Sequence, residues 1–218
     1  MQTVIPFLKK LKKNNNKAWF DENRALYENA KKEIEELVTL LIDSYGRIDS
    51  TIAHLTTKDC LFRINRDVRF SKDKSPYKTN FGISITSGGK KSPLAGYYLH
   101  IEPGASFVGG GLWMPSSPVL SAVRQEIDYN FKEFTDILKS PSFKKQYGEL
   151  YNGKDVSLSR VPKGYETGNP AGEYLKLKSF LAMKSLGDED IDSASLVKKA
   201  NEAFKALKPM IDFINRTA

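Results

Sequence analysis

Apolar positions recur with two different periods along this chain, and the change from one to the other divides it into elements. Residues 4–13 carry an apolar face at helical spacing. After Asn14–Asn16, which offer turn and N-cap chemistry, Trp19, Leu26, Ala30, Ile34, Leu37 and Leu41 recur at steps of three, four and seven. That spacing predicts a second, longer helix, with "KKEIEE" on its wet face and Gly46 as its stop. From Leu61 to Trp113 the period falls to two. "LFRINRDVRF", "FGISITS", "GYYLHIEP" and "SFVGGGLWM" read as four short strands, with gaps too short for a crossover helix. They predict an antiparallel meander.

Helical spacing returns after Ser117-Pro118, and Ser140-Pro141 opens a further short helix. Residues 151–172, rich in Gly, Pro and polar side chains, read as an ordered surface loop. "EYLKLKSFLAMKSL" then alternates again as a returning strand, and the segment from Ser193 to Thr217 is helical, with Pro209 marking a kink or break. The fold class expected is α+β. An antiparallel sheet of about four to six strands is packed on one face by N- and C-terminal helices. The expected layout is one domain over 1–218: helices 4–45, a sheet core 61–113, helices 117–148, loop and strand 151–186, and C-terminal helices 193–217.

Alternation also sorts the side chains of each strand. In the first, Phe62, Ile64, Val68 and Phe70 fall to one side, with Arg66 as the exception, and Arg63, Asn65, Asp67 and Arg69 to the other. In "GYYLHIEP" Tyr97, Leu99 and Ile101 oppose Tyr98, His100 and Glu102. "FGISITS" sets Gly82, Ser84 and Thr86 on the polar side. With the apolar sides against the helices, the polar side gathers large groups beside small ones, and a concave surface is expected there.

Charge sharpens this picture. The 218 residues carry a formal net charge of +8. Between Lys58 and Lys91 stand nine lysines or arginines against three aspartates, +6 of that total. Guanidinium groups suit a two-pronged grip on carboxylate or phosphate. The expected site therefore binds a small phosphorylated or carboxylated anion. Its ligand-binding residues are Arg63, Asn65, Arg66, Arg69, Lys72, Lys74, Tyr77, Lys78 and Tyr98. If the protein is a catalyst, His100, Glu102 and Asp67 are the residues to transfer a proton.

Two other readings fit the same residues. A basic chain is eligible for nucleic acid, although no helix-turn-helix, zinc-finger or RNP pattern is present. Alternatively, the arginines are structural partners of Asp67 and Glu102 in an interaction protein. His100 and Glu102 alone are too few for a metal site, and the only other histidine, His54, lies elsewhere in the chain, so no metal ligand is assigned. No cofactor motif is visible: the basic loop lacks the glycines of a Walker loop, and "EPGASFVGGGLW" lacks the dinucleotide register. Cys60 is the only cysteine, which excludes an intrachain disulfide. With no signal-peptide pattern and no apolar run near the ~18 residues of a spanning helix, a cytoplasmic protein without a membrane partner is expected. Oligomeric state is not legible.

Taken together, "NNNKAWFDENRALYE", "FRINRDVRFSKDKSPYKTNFG", "YYLHIEPGASFVGGGLW", "PKGYE" and "LKLKSF" give the chain a resemblance to a widespread, mainly bacterial family. That family is catalogued as domain of unknown function 2461. The resemblance spans nearly the whole chain. It implies that these blocks belong to one domain, and it implies no reaction and no cofactor.

Overall fold

The computed structural model describes residues 1–191 and 194–217. Helix α1 (Val4–Lys13) is followed by α2 (Lys17–Glu22) and α3 (Arg24–Tyr45). The Asn16 side chain caps α2 by accepting from the Trp19 backbone N–H at 3.0 Å. The expected single second helix is therefore two, broken at Asn23, and Phe20 rather than Trp19 enters the core. A short α4 (Thr57–Cys60) precedes the strands β1 (Phe81–Ile85), β2 (Gly96–Ile101) and β3 (Ser106–Leu112). Then come α5 (Ser117–Tyr129), α6 (Phe131–Lys139), α7 (Pro141–Tyr147), α8 (Gly172–Leu175), β4 (Phe180–Leu186), α9 (Asp188–Ile191) and α10 (Leu196–Asn215). Pro209 sits inside α10, which runs through it. Ser193, expected to open the C-terminal helical segment, lies outside the described residues.

The fold is α+β. Its four strands form one open antiparallel sheet in the order β1-β2-β3-β4, with helices packed against it. One expected strand is missing from it. Residues 61–70 form only two isolated bridges, Leu61 with Ile83 and Asn65 with Tyr77. The reason lies in the return leg: the Arg66 N–H donates to the Pro76 carbonyl and the Lys78 N–H to that of Ile64, so the segment folds back on itself instead of running straight. Of the expected apolar row only Ile64 is buried, while Phe62 is 39% and Phe70 94% exposed. At the other side of the sheet β4 fulfils the expected returning strand, although "EYL" in front of it is helical.

The chain divides into two compact units. The first comprises residues 1–92, 98–108 and 185–201, the second 93–97, 109–184 and 202–218. In the first, Val4, Phe7, Leu8 and Leu11 of α1 and Ile34, Leu37, Val38 and Leu41 of α3 are buried, as are Phe81, Ile83 and Ile85 of β1. Phe7 lies 6.3 Å from Phe81, ring to ring. In the second, Val123, Ile127, Phe134, Phe143, Phe180, Phe204 and Phe213 are fully buried. There Gly111, at φ +121°, brings β3 so near β4 that a Cβ would collide with the Phe180 carbonyl. Among the described residues no helix is long and apolar enough to cross a membrane.

Candidate functional site

In the first unit the polar side of β2 carries Tyr98 and His100, set there by the period-two geometry of a strand, and Glu102 follows directly after its last residue. The Tyr98 hydroxyl lies 3.3 Å from His100 Nδ1, and His100 Nε2 lies 3.2 Å from Glu102 Oε2. Thr79 Oγ1 donates to the other carboxylate oxygen at 3.2 Å. A carboxylate only accepts, so in the neutral ring Nε2 holds the proton and Nδ1 is left to accept from the phenol. Phe107 of β3 stacks on the imidazole at 4.9 Å with the planes 11° apart, which fixes the ring. Burial raises the Tyr98 phenol above its ordinary pKa, so it stays protonated as a donor.

Gly82 of β1 joins a second group to this row. A Cβ at that position would stand 2.5 Å from the Tyr98 hydroxyl oxygen and 3.4 Å from Phe62 Cδ2. The phenol and the Phe62 ring thus flank the same bare backbone. The Lys78 ammonium sits 5.4 Å from the centre of that ring, a cation–π geometry. Lys78 is half-buried, and its pKa is lowered first by that burial and then by the nearby Arg63 charge. Among the described residues neither Lys78 nor Arg63 makes an ion pair with a carboxylate, although the Arg63 charge lies near enough to Asp67 to help lower that carboxyl.

The remaining expected site residues are placed differently. Arg66 donates to the Asp73 carboxylate, to the Ser75 carbonyl at 3.1 Å and to the Ser71 hydroxyl at 3.4 Å. Arg69 grips Asp67 through Nε at 2.9 Å and Nη2 at 2.6 Å, which holds the Asp67 carboxyl below the usual range. Lys74 donates to the carbonyl of Val68 at 3.0 Å. These three cations organise their own loop, and Asp67 is engaged there too. Lys72 and Asn65 are exposed. Tyr77, expected to meet ligand, is a core residue instead. It is 7% exposed, stacks on Phe20 at 4.0 Å, and its backbone is clamped on both sides by the Asn15 amide.

Thr79 and Phe107 complete the row, beyond the residues expected on that side. Thr79 follows an irregular loop, where no period assigns a side. Phe107 was recoverable, because alternation in "SFVGGGLWM" opposes it to Val108. Cys60 is buried, and that burial pushes its thiol up to about 11, which favours the neutral form over the nucleophilic thiolate. Among the described residues no group of three or more His, Cys, Asp or Glu side chains is placed to hold a metal ion.

Residues 3–213 match the family model described as conserved hypothetical protein, DUF2461. The chain belongs to the DUF2461 family. No curated protein and no solved structure matches it. The motifs that make up the DUF2461 resemblance include Gly82, Tyr98 and the loop that carries Lys78.

Proposed function

We propose that this DUF2461 protein binds a small phosphorylated or carboxylated ligand on the polar side of β1 and β2. Lys78 and Arg63 take the anion, and Tyr98, His100 and Glu102 supply hydrogen bonds and a path for a proton. One observation carries the reading: a half-buried ammonium beside a guanidinium, with no carboxylate paired to the ammonium among the described residues, and with the carboxylate nearest in charge to the guanidinium, Asp67, already gripped by Arg69. Burying an unpaired charge costs free energy that an incoming anion would recover. The Tyr98–His100–Glu102 row beside it has the order of donor, base and orienting carboxylate that proton transfer needs. Arg66 and Arg69 are assigned to the loop, because their donors are already engaged. The ligand class suits a metabolite of the bacterial cytoplasm, where we place the protein.

Thermal unfolding tests this reading, with inorganic phosphate and a panel of phosphorylated and carboxylated metabolites. A ligand that binds only the folded chain raises Tm with its concentration, by about 2.7 kcal/mol of stabilisation at a hundredfold excess over Kd. Lys78→Met is expected to leave the free protein as stable or more so, and to abolish the ligand-induced shift. A wild-type Tm unmoved by every anion in the panel overturns the proposal.

A further inference from the structure

The apex of the basic loop is not absorbed by the small-ligand site. Between Arg66 and Ser75 the chain is stapled by its own side chains. Arg66 spans the loop to Asp73, Ser75 and Ser71, Lys74 reaches back to the Val68 carbonyl, and the Ser75 N–H donates to Asp73 at 2.9 Å. This stapling holds Phe70 out at the tip, 94% exposed, with the Arg69 guanidinium 5.7 Å from its ring centre. A lone exposed apolar ring is commonplace on a protein surface. Here the ring stands among cations that keep their charge: Lys72 has no hydrogen bond or ion pair among the described residues, and Lys74 is engaged only by carbonyls.

The same segment repeats the arrangement with Phe62, 39% exposed under the Lys78 ammonium. Flat rings interleaved with unspent positive charge match a polymer that offers flat bases and a phosphate at every step. Phosphate contacts give such binding its strength, and aromatic side chains stack on bases of any sequence. A bilayer suits the tip less well, because the guanidinium beside the Phe70 ring would have to follow it toward the hydrocarbon. We propose that the Arg66–Ser75 loop apex is a contact surface for single-stranded nucleic acid, with Phe70 stacking on a base and Lys72 and Lys74 on phosphates. The surface stands on residues that the small-ligand site does not use.

Fluorescence anisotropy of the full chain tests it, using labelled oligothymidylate about 20 nucleotides long, above the ~4–16 nucleotide footprint of single-strand-binding folds. Titrations run at several salt concentrations. Affinity is expected to fall with log salt, Phe70→Ala to weaken binding about tenfold with the slope kept, and Lys72→Ala to flatten the slope by ~0.7. Both positions are exposed, so an unchanged Tm accompanies each variant. His100→Ala, which probes the small-ligand site, should bind the oligonucleotide as wild type does. The proposal is overturned by any of four results. These are no binding at low salt, wild-type affinity in Phe70→Ala, loss of binding in His100→Ala, or an inert oligonucleotide while phosphatidylserine vesicles sediment the chain through Phe70.

Discussion

Tyr98 keeps its hydroxyl beside His100 because β1 has no side chain at Gly82, where a Cβ would meet that oxygen at 2.5 Å. Neither neighbour can give way freely: the phenol is tied to Nδ1 and the Phe62 ring closes the other side at 3.4 Å. Gly82→Ala is therefore an overpacking substitution, expected to cost about 1–3 kcal/mol in urea unfolding. It should also break the Tyr98–His100 contact, and a changed tautomer at His100 in nitrogen-15 spectra would report that. An imidazole unaffected by the added methyl would show that the phenol has room to move. At this scale the sequence was informative about β2, since two-residue spacing puts Tyr98, His100 and Glu102 on one side of any strand. It named Lys78 as a ligand-binding residue but not its burial, which depends on where the Phe62 ring comes to rest.

The basic loop shows how an element can defy its own pattern. "LFRINRDVRF" alternates as a strand should, yet its backbone pairs with the return leg at Pro76 and Ile64, because the charged side chains on both sides leave little to bury. What orders it is side-chain chemistry centred on Asp73. Hydrogen bonds from Ser75, and then one from Arg66, hold the Asp73 carboxyl at about 2 instead of its ordinary 3.8. The folded loop thus binds this proton less readily than the unfolded chain does. Its contribution to order is full above about pH 4 and is lost as pH falls toward about 2. Amide exchange of residues 66–75 is expected to quicken over that acid window in the wild type. In Asp73→Asn it should already be fast at neutral pH, with the acid step gone. The two helices opened by asparagine and serine caps, by contrast, begin where the sequence said. Asn16 and Ser140 each accept from a backbone N–H three residues on, a bond set within one turn.

Across the whole molecule, charge and core are distributed differently. The +6 of net charge between Lys58 and Lys91 falls entirely in the first compact unit. The second unit buries a cluster of aromatic rings: Phe134 is fully buried, 5.2 Å from both Tyr174 and Phe213. Phe134→Ala is expected to cost about 3–5 kcal/mol, a large part of the ~5–15 kcal/mol that stabilises a typical domain. The urea midpoint of the second unit should fall accordingly, and a loss below about 1 kcal/mol would mean that the surrounding rings collapse into the space. Basicity in the first unit makes salt the condition to control in every binding measurement, since screening at 0.15 M already reaches within about 8 Å.

The sequence by itself determined the α+β class, the helical and strand periods, the caps, and the common side of Tyr98, His100 and Glu102. Each of these follows from bonds and spacings among residues a few positions apart. Only the tertiary structure decided that 61–70 is not a strand, that Tyr77 stacks on Phe20 in the core, and that Thr79 reaches Glu102. It alone brought Lys78 over Phe62, with no carboxylate paired to it among the described residues. Those outcomes depend on partners far along the chain. Local periodicity cannot specify them, because burial is settled by whichever surfaces come together last.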